Sequence, residues 1–233
     1  MRVLFLGDIV GEPGRKIVRE AAPILRRRYA CDAVFANAEN CAGGSGITGR
    51  CHSQLAAAGL DALTMGDHIY RRREVMDLFG RTPPICKPGN FPAEAPGPDR
   101  LLVTLPSGVK IGVISLLGRT FMRPVDCPFH AADRLVAELR AETPIIFVDM
   151  HAEATSEKQA MLRHLLGRVT AVLGTHTHVP TADATIYPPG TAYMTDLGMT
   201  GPYDGVIGRR WEPVLKHAIT FEHAVFEVAE GDP

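Results

Sequence analysis

The sequence predicts an α/β fold with a mainly parallel sheet covered by helices. Two observations carry that prediction: strand-length apolar runs alternate with segments of helical period, and five of the runs end in a residue able to ligate a metal. With 233 residues, 45% hydrophobic and 22% charged, the chain is long enough to bury one substantial core, and residues 1–233 are read as a single domain.

Val3 to Leu6 is a short buried-strand run that begins the alternation. After it Ile17, Ala21, Ile24 and Leu25 recur at helical spacing, with Arg15, Lys16, Arg19, Arg26 and Arg27 mostly on the opposite, solvated face. Ala33 to Ala36 is the next strand, Cys51 to Ala58 a helix closed by Gly59, Ala62 to Met65 a strand and Arg72 to Phe79 a helix. Six prolines between Pro83 and Pro98 exclude a regular helix or central strand there and predict a rigid surface connection. Arg100 to Leu105 and Lys110 to Ser115 flank Pro-Ser-Gly as a β-hairpin, followed by a helix over Ala131 to Arg140 and a buried strand over Ile145 to Val148. Ser156 and Gln159 have capping-box spacing and start a helix toward Leu166, after which Ala171 to Leu173 is a strand. Beyond Pro180 the pattern shortens to β segments at Ala184 to Tyr187, Tyr193 to Thr195 and Ala224 to Val228, with a helix around Pro213 to His217.

Composition narrows the function classes. Lys plus Arg number 25 against 26 Asp plus Glu, so no overall basic field holds a stable nucleic-acid complex. The longest apolar stretches fall far short of the roughly 20 residues that cross a bilayer, and the run before Asp8 is too brief for a signal-peptide core. Five widely spaced cysteines without a C-x-x-C pair argue against a disulfide framework and a thiolate zinc site, and a reducing cytoplasm is expected. Cys41, beside Asn40, reads as a small packed side chain.

Loops at the C-terminal ends of strands gather into the binding crevice of an α/β sheet. The residues at those ends here are Asp8, Glu39 with Asn40, Asp67 with His68, His151, and His176 with His178. One Asp after one strand is ordinary turn chemistry, but five consecutive sites of this kind are not. Carboxylate, amide oxygen and imidazole together suit Mn, Fe, Zn, Ni or Co ions better than calcium or a thiolate-favouring ion. Two such ions about 3.5–4 Å apart, sharing a carboxylate, make a bridging hydroxide a nucleophile toward phosphorus.

The strings Leu-Gly-Asp8, Asn-Ala-Glu39-Asn40, Met-Gly-Asp67-His68, His151-Ala-Glu-Ala-Thr-Ser-Glu-Lys, Gly-Thr-His176-Thr-His178-Val and Thr-Asp-x-Gly-Met-Thr-Gly-Pro-Tyr-Asp resemble the motif series of the calcineurin-like metallophosphoesterases. More narrowly they resemble its bacterial YmdB-type branch of cyclic-nucleotide phosphodiesterases, from Met1 to about Gly231. The resemblance implies a layered α/β/β/α sandwich, with central mixed sheets and helices on the outer faces. It implies two divalent or mixed-valence ions, Fe or Mn ahead of Zn, Ni, Co and Mg, one held by Asp8, Glu39, Asn40 and His178 and the other by Glu39, Asp67, His151 and His176. Glu39 then bridges, His68 serves catalysis beside the substrate phosphate by hydrogen bond or proton donation, and the protein is a homo-oligomer.

The chain departs from that family at two places. Asp67 stands where the family's third motif has Asn, which adds negative charge beside the bridge, and the chain ends soon after Gly231, where relatives continue through another β segment. Gly43 to Thr48 is glycine-rich without the Lys of a P-loop, so it is expected as a mobile rim loop, with Thr48 touching substrate. Arg119, after an apolar strand and Gly118, is a candidate bidentate phosphate donor or a structural ion-pair partner. His52, His130, His164, His217 and His223 lack partner spacing and read as structural or surface residues.

The expected function is hydrolysis of a small phosphodiester, a 2′,3′-cyclic nucleotide on the resemblance alone, with a phosphomonoesterase or nucleotidase as the alternative. A regulatory binding module for RNA-processing partners is the other class, and near-neutral charge with 6% aromatics weakens it.

Overall fold

The computed structural model describes residues 1–231. The first half of the chain runs β1 (Val3–Leu6), β2 (Asp8–Ile9), α1 (Gly11–Arg28), β3 (Ala33–Asn37), α2 (Gly49–Ala57), β4 (Ala62–Thr64), 3-10 turns at Ile69–Arg71 and Arg73–Leu78, and β5 (Ile85–Cys86). The second half continues with β6 (Leu101–Thr104), β7 (Lys110–Leu117), α3 (Pro128–Arg140), β8 (Ile146–His151), α4 (Thr155–Leu165), β9 (Ala171–Thr175), β10 (Thr185–Tyr187), β11 (Thr191–Met194), β12 (Met199–Thr200) and α5 (Trp211–Thr220).

β3 shows why these runs fold into layers. All five of its residues are buried, so both faces need a cover, and successive side chains point to opposite faces. Val34 and Ala36 pack outward on Val18 and Ala22 of α1 and Leu55 of α2. Ala33 and Phe35 face inward onto Ile111, Val113 and Phe147 of a second sheet, and Phe35 meets Phe5 and Phe147 edge-on at 6.0 Å. On the far side, Leu135 and Leu139 of α3 and Met161 and Leu165 of α4 cover Ile114, Val148 and Val172. The expected helix–sheet–sheet–helix sandwich is therefore present.

Only one of the two large sheets is mixed. The four-stranded sheet, ordered β1-β3-β4-β5, is wholly parallel. The six-stranded sheet, ordered β10-β11-β9-β8-β7-β6, is parallel from β11 to β7 and antiparallel at both edges, and the β6–β7 pair is the expected hairpin. A small parallel pair of β12 and β2, which the sequence pattern does not signal, ties the C-terminal third to Asp8. No helix among the described residues is long and apolar enough to cross a membrane.

Several expectations are corrected. The inward face of α1 is Gly11, Gly14, Arg15, Val18 and Ala22, while Ile24 is 55% exposed. Counting large apolar residues missed this phase because two glycines allow close packing and Arg15 is buried by donating to the Cys41 carbonyl, Gln54 and Glu12. Residues 73–78 form a 3-10 turn, not an α-helix. The proline-rich connection contributes β5 as an edge strand and buries Lys87, Asn90 and Phe91. There the Asn90 amide donates to the carbonyls of Leu117 and Asp126 and accepts from Leu117 N, serving backbone groups outside any ladder. The Ser156 capping box does not form, because the helix starts at Thr155 with Ala154 at the cap position, which puts Ser156 inside the first turn; Glu157 beside it accepts from the backbone of Arg119 and Thr120. Ala224–Val228 makes one isolated bridge, Val228 to Arg209, rather than a strand.

Candidate metal centre

The seam between the two large sheets ends in a cluster of polar side chains. Asp8 opens β2, Glu39 and Asn40 follow β3, Asp67 and His68 follow β4, His151 closes β8, and His176 and His178 follow β9. Gly66 makes the convergence possible. A Cβ there would lie 2.3 Å from the His151 ring and 2.5 Å from Glu39 Oε2, inside any tolerable contact.

One ligand set is Glu39, Asp67, His151 and His176, whose candidate donor atoms all lie within 4.8 Å of one another. His151 Nε2 is 3.1 Å from both Glu39 Oε1 and His176 Nδ1. Asp67 Oδ1 lies 3.5 Å from His151 Nε2, is buried, and has no hydrogen-bond partner. An orphaned carboxylate oxygen aimed into a cluster of donors is costly unless a cation completes it, so these residues fit a metal ion. The second set gathers around Asn40, whose Nδ2 is 3.4 Å from Asp8 Oδ1, 3.3 Å from Glu39 Oε1 and 3.2 Å from His178 Nε2. Glu39 is common to both.

Each imidazole is fixed through its other nitrogen, which turns the candidate ligand nitrogen toward the cluster. His178 Nδ1 donates to the Ile207 carbonyl at 2.9 Å, and His176 Nε2 lies 3.2 Å from Glu153. His151 Nδ1 donates to Thr175 Oγ1 at 2.8 Å, and Thr175 donates to Asp149 Oδ1 at 2.6 Å. Asp149 Oδ2 in turn accepts from Asn37 at 3.0 Å and Thr64 at 2.5 Å, so this carboxylate stitches the two sheets together beneath the site. His176 and His178 both hold positive φ, 97° and 66°, which non-glycine residues adopt at a cost. Between them Thr177 donates through backbone and hydroxyl to Asp196, the partner of the fully buried Lys158 at 2.6 Å. Thus the Lys and Asp of the two longest motif strings meet to brace the histidine loop.

Electrostatics follow the crowding. Burial alone would raise the Asp8 carboxyl, but the His178 hydrogen bond and the charges of His178 and His151 hold it well below the usual carboxylate range. Asp67 behaves alike, with burial outweighed by His151, His68 and His176. Burial would lower His151, but Glu39, Asp67 and Asp8 push it well above the ordinary histidine value. His176 is lowered, by burial and by the neighbouring His151 charge. In this set a proton on His151 does part of the charge balancing that a cation does.

His68 stands at the edge of both sets. Its backbone N donates to Glu39 Oε2 at 2.8 Å, its Nδ1 is 2.7 Å from Asn40 Oδ1, and its Nε2 is 3.7 Å from Asp67 Oδ2. These residues open onto a cavity of about 390 Å³ that also includes Glu153, Val179, Ile207 and Arg209. A larger cavity, about 720 Å³ beside Lys87 and Arg134, contains none of the clustered residues.

Two expected substrate contacts are placed elsewhere. Thr48 caps α2, its hydroxyl accepting from Cys51 N at 3.3 Å and donating to Cys51 Sγ at 3.1 Å. Arg119 is exposed and does not line the cavity, and it is its backbone N that meets Glu157. The glycine loop is pinned rather than free, because Arg72 donates to the carbonyls of Ala42 and Ser45, and Arg209 to those of Gly43 and Gly44. Cys41 is packed and fully buried, His52 bonds the Pro83 carbonyl, and His164 pairs with Asp133, as structural residues do. The sequence reading missed Asp149, Thr175, Gly66 and Arg209. Asp149 was within reach, because it lies two residues before His151 and so shares its strand face.

Two packed sheets covered by helices, with carboxylates and imidazoles converging on their seam, match the metallophosphoesterase architecture expected from the motifs. Within that class the chain belongs to the YmdB-like protein family, whose model matches residues 4–233. It is 48% identical over 231 residues to the 2′,3′-cyclic-nucleotide 2′-phosphodiesterase of Bacillus subtilis (strain 168), covering 99% of this chain and 87% of that one. Among solved structures it resembles a hypothetical protein from Thermus thermophilus, with TM-score 0.93, 43% identity and coverage of 99% and 89%. It also resembles a phosphatase from Mycoplasma pneumoniae, with TM-score 0.90, 33% identity and coverage of 98% and 83%.

Proposed function

We propose that the chain hydrolyses small phosphodiesters, 2′,3′-cyclic nucleotides foremost, with two metal ions held by Asp8, Glu39, Asn40 and His178 and by Glu39, Asp67, His151 and His176. The observation that carries this reading is the pair of ligand sets sharing Glu39, one of them containing the orphaned Asp67 oxygen. Kinship with a cyclic-nucleotide phosphodiesterase supports the substrate class. Ions of this kind, when bound, supply Lewis acidity at phosphoryl oxygens and bring the pKa of water near neutrality. The thiolate-free donor set of carboxylate, amide and imidazole suits Mn, Fe, Zn, Ni or Co, and the resemblance puts Fe or Mn first.

The remaining chemistry belongs to His68. For Asn40 to offer its oxygen to an ion, Oδ1 must take the place of Nδ2 among Asp8, Glu39 and His178. The amide nitrogen then faces His68 Nδ1 and places the imidazole proton on Nε2, from which it is passed to the leaving ribose oxygen. Glu39, accepting from His68 N, fixes where that ring stands.

The test compares turnover of a 2′,3′-cyclic nucleotide, a linear diester and a nucleoside monophosphate by metal-replete protein. Preference for the cyclic diester is expected, and preference for the monoester would transfer the assignment to the phosphatase activity named for the Mycoplasma pneumoniae structure. Five free cysteines support a reducing, cytoplasmic setting. The homo-oligomer remains a proposal resting on the resemblance, and light scattering tests it.

A further inference from the structure

One cation in the site cavity has no role in the reading above. Arg209 lines the same cavity as His68, His176 and His178 and is half-buried. Among the described residues its guanidinium donates to the backbone carbonyls of Phe226 at 3.0 Å, Gly43 at 3.5 Å and Gly44, and it meets no carboxylate there. The next residue shows the contrast: Arg210 stands between Glu212 and Glu227, 3.7 Å from each. A guanidinium that loses water without gaining a carboxylate keeps its charge uncompensated, which favours an anionic ligand. Burial lowers its pKa accordingly.

The surroundings are shaped to hold it there. Gly43 and Gly44 have φ of 63° and 83°, and a Cβ on Gly44 would lie 2.2 Å from Arg209 Nη1. Val179 and Ile207, 56% and 50% exposed, give the same cavity an apolar border. A cavity of about 390 Å³ is within the range of small-ligand sites, and it combines metal-ligand chemistry, a guanidinium paired with no carboxylate among the described residues, and apolar surface.

We propose that Arg209 is a substrate-binding residue, pairing with the phosphate oxygens of a mononucleotide while Val179 and Ile207 border its sugar and base. This deepens the phosphodiesterase reading and rests on it for the reaction, but not for nucleotide binding. Arginine suits the role because its planar fork meets phosphate oxygens two at a time.

The test has a kinetic arm and a binding arm. In metal-replete Arg209→Met, KM for a 2′,3′-cyclic nucleotide should rise at least tenfold with kcat within about threefold, and Arg209→Lys should recover part of the loss. Calorimetric titration of metal-stripped protein with a 3′-nucleoside monophosphate should show at least tenfold weaker binding for Arg209→Met, measured below the temperature at which the variant begins to melt. If Arg209→Met fails to fold, Val179→Asp, at an exposed position, sets a competing carboxylate at the cavity border and should raise KM about fivefold. Unchanged KM, or equal nucleotide affinity in wild type and variant, overturns the proposal. Weakened nucleotide binding by a variant of a protein that hydrolyses no cyclic nucleotide would sink the proposed reaction while supporting Arg209 as a nucleotide contact.

Discussion

The two halves of the chain bring different chemistry to the seam. Before Pro83 the ligand candidates are Asp8, Glu39, Asn40 and Asp67, all oxygen donors. After Lys110 they are His151, His176 and His178, all nitrogen donors. Each proposed ion takes donors from both halves, so the site exists only when the sheets are packed, and metal uptake is linked to tertiary structure rather than to either half. The hydrogen bonds around Asp149, which join Asn37 and Thr64 of one sheet to Thr175 of the other, lie at that junction.

The harshest way to break this pairing is Gly66→Ala, which drives a methyl group into His151 and Glu39, the meeting point of the halves. Overpacking of this kind costs about 1–3 kcal/mol, and the variant should also lose bound metal, seen by thermal melting and elemental analysis. Retained metal at wild-type stoichiometry would show that the halves need not approach so closely. Asp149→Asn leaves the ligands intact but disturbs the acceptor behind Thr175 and His151, so metal affinity should fall about 10–100-fold. A variant titrating like wild type would confine Asp149 to a structural role.

Protonation gives a third handle. His151 and His178 both have raised pKa values in the metal-free site, so a proton occupies each in part of the range where an ordinary histidine is neutral. Metal uptake at pH 7 should release protons, counted by calorimetry in buffers of different ionisation enthalpy, and affinity should climb as pH rises above about 6.5. The sign for stability is opposite: the His151 contribution is full below the unfolded value and is lost as pH rises through the raised folded one. Affinity independent of pH between 6 and 8 would remove His151 from the ligand set.

Smaller effects sharpen the comparison. Asp67→Asn removes one negative charge from the oxygen half and restores the residue expected from the resemblance, and it should shift metal affinity or hydrolysis at saturating Mn²⁺. Unchanged values would make the extra charge inconsequential. Arg119→Ala should alter activity less than twofold and stability by no more than about 0.5 kcal/mol, because its side chain does not line the site cavity.

The cluster of candidate ligands was legible because the strand ends that meet there repeat one local signal: an apolar run followed by Asp, Glu, Asn or His. What surrounds them was not, and the reasons differ. Arg209 lies in an irregular stretch before α5, where no period marks a direction, and only the fold brings it against Gly43 and Gly44. Thr48 stands at the cap of α2 and outside the site cavity, because a hydroxyl before a helix serves a cap as readily as a ligand. The capping box at Ser156 failed because the helix starts one residue earlier, at Thr155, so Ser156 sits within its first turn. The face of α1 was missed because two glycines and a buried arginine share it with Val18 and Ala22.

The central claim is a pair of ions shared by two unlike halves. Anomalous-scattering maps of metal-replete crystals, collected on both sides of the Fe and Mn edges, test it directly. Two peaks roughly 3.5–4 Å apart on either side of Glu39 are predicted. A single peak, or none, at full metal loading would contradict it.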